Sequence, residues 1–307
     1  MSSFLVPKYI ADSMLTSCSI AAPDAGETEW VSAGTYALGD VRVRASTRKS
    51  FECVQAHTGV ATAPEVDPTR WLERELYPMN RWALFDNYVS TPSTDSTTLE
   101  YVLRPGFING LVAYGMVGSN VEVIYKDGPG GTVLWQLANT SLVEGAAGWW
   151  EYYYGDPQFK TRLVVRNLPL RPDPELTFRI TGTGQVACGL LGVGSWRPLA
   201  QMLTSGPERG ARAEPTTYSK IVTRSDGTSR ILRGHRATNL RFSVALGDMD
   251  GDAALEAVRE VLDIPAAWVV TDEPTMRGLN TFGLASASIS YDNSKGRTMN
   301  VEVKGFI

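Results

Sequence analysis

The stretch VEVIYKDGPGGTVLWQ, residues 121–136, decides the fold class of this chain. Val121, Val123 and Tyr125 fall on one side of an extended chain, which is the period of a strand that buries one face. The glycines and the proline of residues 127–131 then predict a tight turn. The residues after the turn, Thr132–Gln136, predict a second short strand.

The same pattern extends over residues 77–199, where further short β-rich runs alternate with turns. The runs outside this stretch are Leu99–Leu103, Gly110–Tyr114, Arg162–Val165, Leu176–Thr181 and Gln185–Gly192. The 29 glycines and 17 prolines of the chain fit many turns between short strands. About seven short strands at this spacing predict a β-sandwich or jelly-roll.

Residues 200–307 predict a C-terminal β unit with one helix. Asp252 is a helix-capping residue, and the apolar positions from Ala254 to Leu262 recur at helical spacing until Pro265. Predicted strands follow at Ala267–Thr271, Thr281–Ile289 and Thr298–Phe306, the last as an edge or pairing strand. With an N-terminal arm (1–28) and a small module (29–76), the sequence divides into four segments of a mainly β protein.

The small module is bounded by tryptophans. Gly39 and Asp40 predict a turn into a strand at Val41–Arg44, and Phe51–Val54 predicts its partner, within a three-stranded sheet. A core of ~45 residues needs large side chains, so aromatic residues are expected to supply its buried surface.

The pattern of Trp30, Tyr36, Gly39-Asp40-Val41, Phe51 and Trp71 resembles the chitin-binding-type carbohydrate-binding modules of bacterial chitinases and cellulases. The resemblance covers about 45 residues, here 29–76, and implies sugar binding by stacked rings. The sequence departs from that family at Gln55-Ala56-His57, where adjacent exposed aromatics are usual. Tyr36, His57 and Trp71 are the remaining candidates for carbohydrate binding, and the alternative is that the tryptophans and Tyr36 are core residues.

A second resemblance concerns the rest of the chain. Trp82-Ala83-Leu84-Phe85-Asp86 and Arg104-Pro105-Gly106, within a strand-rich sequence, resemble tail-tip and baseplate proteins of tailed bacteriophages. The order of elements in residues 200–307 resembles ring-forming distal tail proteins. These resemblances imply a structural protein of the virion tail, assembled in the host cytoplasm in several copies, with other tail proteins and copies of itself as partners.

Residues 148–154 hold the densest aromatic cluster. One interpretation is a second glycan or receptor platform. The favoured one is an alternating strand that turns Trp150, Tyr152 and Tyr154 to the core, and Trp149 and Tyr153 to a neighbour. Trp149 and Tyr153 are therefore the predicted interface residues, since aromatics are enriched where proteins meet.

Composition and charge exclude several functional classes. The net charge is −4 and no basic run is present, so no nucleic-acid partner is expected. The longest apolar runs fall far short of the ~20 residues that span a membrane, and the first residues lack a secretory signal pattern. Cys18, Cys53 and Cys188 are widely spaced and odd in number, which predicts buried thiols and no metal site.

Catalytic patterns are missing from the sequence, which contains no Gly-x-Ser-x-Gly, HExxH or P-loop motif. Cys53 and His57 are a conceivable thiol–imidazole pair, but four residues along a strand place them ~13 Å apart. We therefore expect no catalytic residue, no cofactor and no enzyme activity.

The resulting expectation is an oligomeric structural component of a phage tail tip or baseplate, with contact to host glycans through the small module left open. The alternative is a secreted polysaccharide-processing enzyme with an appended carbohydrate-binding module. A weaker alternative is a cytoplasmic sugar-sensing module.

Overall fold

The computed structural model describes residues 2–75, 78–145, 148–156, 158–199, 210–247, 250–271, 274–291 and 297–306. The fold is mainly β, as the sequence predicts, with 48% of residues in strands and 10% in helices. The residues group into two compact units, one of Tyr9–Leu191 and one of Met1–Lys8 with Gly192–Ile307. These units cut across the four predicted segments, because the first strand of the chain pairs with strands beyond residue 189.

Residues 2–75 form seven short strands. They are β1 (Ser3–Pro7), β2 (Leu15–Cys18), β3 (Thr35–Tyr36), β4 (Val41–Arg44), β5 (Lys49–Cys53), β6 (His57–Thr58) and β7 (Trp71–Glu73). Short 3-10 turns lie at Asp12–Met14 and Pro64–Val66.

The described residues between 78 and 199 form two short helices and nine strands. They are α1 (Asn80–Ala83), β8 (Ser93–Asp95), β9 (Thr98–Leu103), β10 (Gly110–Tyr114), β11 (Asn120–Lys126), β12 (Val133–Ser141), α2 (Trp149–Tyr154), β13 (Arg162–Val165), β14 (Glu175–Thr181), β15 (Val186–Cys188) and β16 (Leu190–Pro198).

The described residues of the last third of the chain form seven strands and the longest of the described helices. They are β17 (Arg212–Thr217), β18 (Lys220–Thr223), β19 (Ser229–Leu232), β20 (Arg236–Leu246), α3 (Asp250–Arg259), β21 (Ala266–Val269), β22 (Asn280–Ser290) and β23 (Arg297–Gly305). A 3-10 segment at Pro274–Leu279 precedes β22.

The turn predicted at residues 127–131 joins β11 and β12, the two strands predicted on either side of it, and these pair antiparallel as a hairpin. It belongs to a five-stranded sheet of order β12-β11-β14-β9-β2. The three central strands are β11, β14 and β9, and each contributes three inward-facing residues. Val123, Phe178 and Tyr101 lie side by side across these strands and form the middle one of three such rows. All nine side chains are buried, which gives this sheet one continuous apolar face.

The outward face of the same sheet is charged. Arg179 on β14 lies between Glu100 on β9 and Glu122 on β11, and it donates hydrogen bonds to both carboxylates. The alternation of apolar and charged residues fixes the register, because a slip of one residue would exchange the two faces.

The small module contains the predicted three-stranded sheet, in the order β4-β5-β7. Gly39 precedes β4 with a φ of 86°, a left-handed conformation that glycine adopts without steric cost. Arg48, in the turn between β4 and β5, ties the module to flanking residues of its unit. Its guanidinium bonds the Asp12 carboxylate and the Ile10 carbonyl and stacks 3.8 Å from the ring centroid of Trp82.

The second unit is built on β16, β1, β21, β22, β23, β20 and β17, in that order across its sheet. Helix α3 buries Ala254 and Val258 in a core that also holds Trp268 and the inward residues of β20 and β23. The helix starts at Asp250, two residues before the predicted cap. Strand β23 pairs on both sides, so of the two predicted roles it has that of a pairing strand.

Candidate functional site

A hairpin-like excursion between β12 and β13 carries the densest aromatic cluster, and we call residues 142–160 the finger. Residues 146, 147 and 157 of the finger lie outside the described residues. At its base the amide of Glu144 donates to the carbonyl of Gln158 and the amide of Lys160 to that of Leu142, both at 2.7 Å. The finger is thus a closed stem that presents α2 at its end.

Helix α2 leaves all of its aromatic rings in water. The exposed fractions are 78% for Trp149, 73% for Trp150, 71% for Tyr152, 65% for Tyr153 and 74% for Tyr154. Residues four apart meet on the helix surface: the rings of Trp149 and Tyr153 stack with centroids 6.0 Å apart, and those of Trp150 and Tyr154 lie at 4.6 Å.

The alternating strand predicted for this cluster is wrong. As a strand, Trp150, Tyr152 and Tyr154 would need a core to face, and in the structure all three are exposed. The helical signal was present, because aromatic residues recur at spacing four between Gly148 and Gly155. Trp149 and Tyr153 are exposed, as their assignment to an interface requires, and that assignment stays a prediction.

The shape of the finger tip favours a protein over a small ligand. At about 100° per residue, the five ring-bearing positions span about 200° of the helix circumference. The surface is therefore convex, whereas sites for small molecules are concave. A convex cluster of tryptophan and tyrosine suits contact with another protein.

The three predicted carbohydrate-binding residues lie together in the small module. The ring of Tyr36 is 4.9 Å from that of Trp71 and 5.3 Å from that of His57, and His57 is 5.4 Å from Trp71, all between centroids. Strands β3, β6 and β7 bring them together, since Tyr36 pairs with His57 and Trp71 opens β7.

Burial decides between the two roles that the sequence left open for these rings. Tyr36 is 4% exposed and Trp71 is 2% exposed, and with Trp30 they form the core of the module. The hydroxyl of Tyr36 donates to the carbonyl of Val31 at 2.6 Å and accepts from its amide at 2.8 Å. Because stacking on a sugar needs an exposed ring face, the core alternative describes Tyr36 and Trp71, and only the half-buried His57 reaches the surface.

Cys53 and His57 are close together, contrary to the distance expected on one strand. The sulfur of Cys53 lies 3.8 Å from Nδ1 of His57, because β5 ends at Cys53 and the chain bends before β6 begins. Nδ1 donates to the carbonyl of Gln55 at 2.8 Å, and the thiol donates to the same oxygen at 3.2 Å. Since Nδ1 already carries a proton, it cannot accept the thiol proton, so the pair has no base for catalysis.

Asp86 is the one described carboxylate whose pKa burial raises to about 6. A raised pKa is common at functional sites, but here the carboxylate fastens a loop. Oδ2 accepts from the hydroxyl of Thr91 at 2.5 Å, and Oδ1 accepts from the amide of Tyr88 at 2.7 Å. Both oxygens are engaged, which makes Asp86 a structural residue.

Other chemistry is limited within the part of the chain that the structure describes. No group of three or more histidines, cysteines, aspartates or glutamates is close enough to hold a metal ion. Cys53 and Cys188 are buried and Cys18 is half-buried, and all three are free thiols. None of the described helices combines the length and the apolar character that crossing a membrane requires.

Comparison of the chain with protein-family models, with curated proteins and with solved structures finds no match.

Proposed function

We propose that this chain is a structural subunit of a bacteriophage tail tip or baseplate, which assembles by burying its aromatic finger against other proteins of the tail. The observation that carries the proposal is the exposure of all five rings of α2 on a closed stem. Tryptophan and tyrosine dominate the energetics of protein interfaces, and exposed clusters of apolar side chains mark interaction sites.

The magnitude of the apolar surface favours an assembly over an isolated chain. Five rings that are about two-thirds exposed or more leave on the order of 500 Å² of ring surface in water. Covering it contributes roughly 10 kcal/mol, which is comparable with the cost of association. One finger therefore supports reversible contact, and stable binding needs several contacts at once, as in a multi-subunit particle.

The assignment to a phage tail rests on the sequence resemblances and on the mainly β fold. Contact with host glycans through the small module is not part of the proposal, because two of the three candidate rings are in the module core. The proposal includes no catalytic step.

The proposal is tested by quantitative mass spectrometry of purified tailed particles from the phage that encodes this chain. We expect the chain in the particles in several copies, at a fixed ratio to other tail proteins. Its absence from intact, infectious particles would contradict the proposal. A parallel assay on chitin, cellulose and lipopolysaccharide is expected to show no hydrolysis, and turnover would favour the alternative of a polysaccharide-processing enzyme.

A further inference from the structure

A second projecting segment lies in the unit formed by the ends of the chain. Residues 218–235, which we call the ribbon, continue the pairing of β17 with β20 beyond the sheet. The amide of Tyr218 donates to the carbonyl of His235 at 3.0 Å, and the ribbon closes in a turn at Gly227, whose φ is 82°. Among the strands that the structure describes, β18 and β19 pair with each other and with no third strand, and every residue in them is exposed.

The ribbon exposes apolar side chains on both faces. Ile221 lies directly opposite Ile231 on one face, and these side chains are 72% and 64% exposed. Val222 and Leu232 lie on the other face and are also exposed. Because a lone two-stranded ribbon is only marginally stable in water, this arrangement favours a partner that covers it.

The ribbon is also the basic part of an acidic protein. Its net charge is +3, from Lys220, Arg224, Arg230 and Arg233 against Asp226. Because the whole chain has a net charge of −4, the residues outside the ribbon together carry −7. None of the four cations has a carboxylate partner within the described ranges. The partner that covers the ribbon is therefore expected to be acidic.

The finger has the complementary chemistry. Residues 142–160 contain Glu144, Glu151 and Asp156 against Lys160, a net charge of −2, together with the five rings of α2. Aromatic faces attract guanidinium groups and pack against branched aliphatic side chains. The ribbon supplies both kinds of group, and the opposite charges of the two segments favour the same pairing.

We propose that the ribbon of one copy binds the finger of a second copy. This inference rests on the proposed function and names a partner for the finger. The ribbon has 18 residues and the finger 19, so their contact is smaller than a standard interface of about 20–30 residues per side and is expected to be reversible. Each copy offers one ribbon and one finger, so the contact is heterologous and propagates into a ring or filament.

The test uses sedimentation velocity of the full chain and three variants. The ribbon variant carries Arg230→Glu and Ile231→Gln. The finger variant carries Trp149→Gln, Trp150→Gln, Tyr153→Gln and Tyr154→Gln. The control, Phe107→Gln, removes an exposed ring outside both segments. All substituted side chains are exposed, and circular dichroism and melting curves confirm that each variant is folded.

We expect the wild type and the control to form species larger than the 33.5 kDa monomer, and the two other variants to sediment as monomers. An equimolar mixture of the ribbon variant with the finger variant should form a one-to-one dimer, because one intact ribbon and one intact finger remain. Higher salt should weaken every association that the ribbon makes.

Two results would overturn the inference: a mixture that stays monomeric at about 100 µM, or a ribbon variant that associates as the wild type does. A wild type that is monomeric up to about 100 µM would also overturn it. The proposed function has a separate outcome. If the ribbon variant enters tail particles normally while the finger variant does not, the proposed function stands and the finger binds a different tail protein.

Discussion

The ring of Trp150 lies 4.6 Å from that of Tyr154, one helical turn away, and both side chains are more than 70% exposed. The two rings are in contact with an angle of 37° between their planes, so each restricts the rotamers of the other before any partner arrives. Such a pair loses little side-chain freedom on binding, which favours its use as an anchor in an interface.

Replacing the rings of the finger should separate assembly from folding. The variant with Trp149, Trp150, Tyr153 and Tyr154 changed to glutamine should keep the melting temperature of the wild type within a few degrees, because exposed side chains contribute little to stability. Its incorporation into tail particles, measured by quantitative mass spectrometry, should fall at least tenfold. Phe107→Gln should be incorporated normally. Equal incorporation of both variants would contradict the role of the finger.

The small module should depend on Trp71 for stability and not for sugar contact. Trp71→Ala removes a 2% exposed indole from the module core and should cost about 3–5 kcal/mol in urea unfolding. His57→Ala removes a half-buried ring and should cost less. If Trp71→Ala unfolded like the wild type and lost binding on a glycan array, the core assignment would be wrong.

Part of the pH dependence of stability should come from Asp86. Burial raises the pKa of this carboxyl to about 6 in the folded chain, above its usual ~3.9 in an unfolded one. The folded state therefore holds the proton more tightly, and the contribution of Asp86 to stability falls as the pH rises from about 4 to about 6.

Asp86→Asn should lack this contribution. In urea unfolding, the difference in free energy between the variant and the wild type should move in favour of the variant between about pH 4 and about pH 7. A difference that is the same at both values would show that Asp86 is not perturbed in the folded chain.

The three thiols should react slowly in the native protein. Cys53 is fully buried, and burial raises the pKa of Cys18 and that of Cys188, the latter to about 12. Because the thiolate is the reactive form, Ellman's reagent should label the folded chain far more slowly than the urea-unfolded chain, which should release three equivalents. Cys18→Ser should remove most of the slow native reaction, and rapid labelling of Cys53 or Cys188 would contradict their burial.

Strands with one buried face were the predictable part of the fold. The predicted run at Leu99–Leu103 falls within β9, where Leu99, Tyr101 and Leu103 are buried in alternation, because burial of one sheet face imposes a strict spacing on apolar residues. Strand β20 was missed although it carries that spacing, with Leu240, Phe242 and Val244 buried in alternation. The alternation of these apolar residues is visible in the sequence alone.

Other features have no local signal. Strand β1 pairs with β21 through Ser3 and Val269, a contact between residues far apart in sequence that no periodicity encodes. The ribbon is exposed on both faces, so burial imposes no pattern on it. The aromatic residues of the finger favour strands by propensity. They form a helix instead, because the closed stem and the ring contacts between residues four apart outweigh that preference.

The sequence predicted which residues of the small module lie together, but it did not predict how their side chains are arranged. The sequence brought Tyr36, His57 and Trp71 into one group correctly, yet it could not show which ring faces would be covered. The short distance between Cys53 and His57 depends on a bend at residues 54–56, which a strand-based estimate leaves out.

The most direct test of the central claim is site-specific photo-crosslinking in assembled particles. A benzophenone amino acid is placed at Tyr153, at the finger tip. In a matched control variant it is placed at Phe107, which is also exposed. We predict an efficient protein–protein crosslink from position 153 and little or none from position 107. A finger that stays uncrosslinked in particles that contain the chain would contradict the claim that it is an assembly surface.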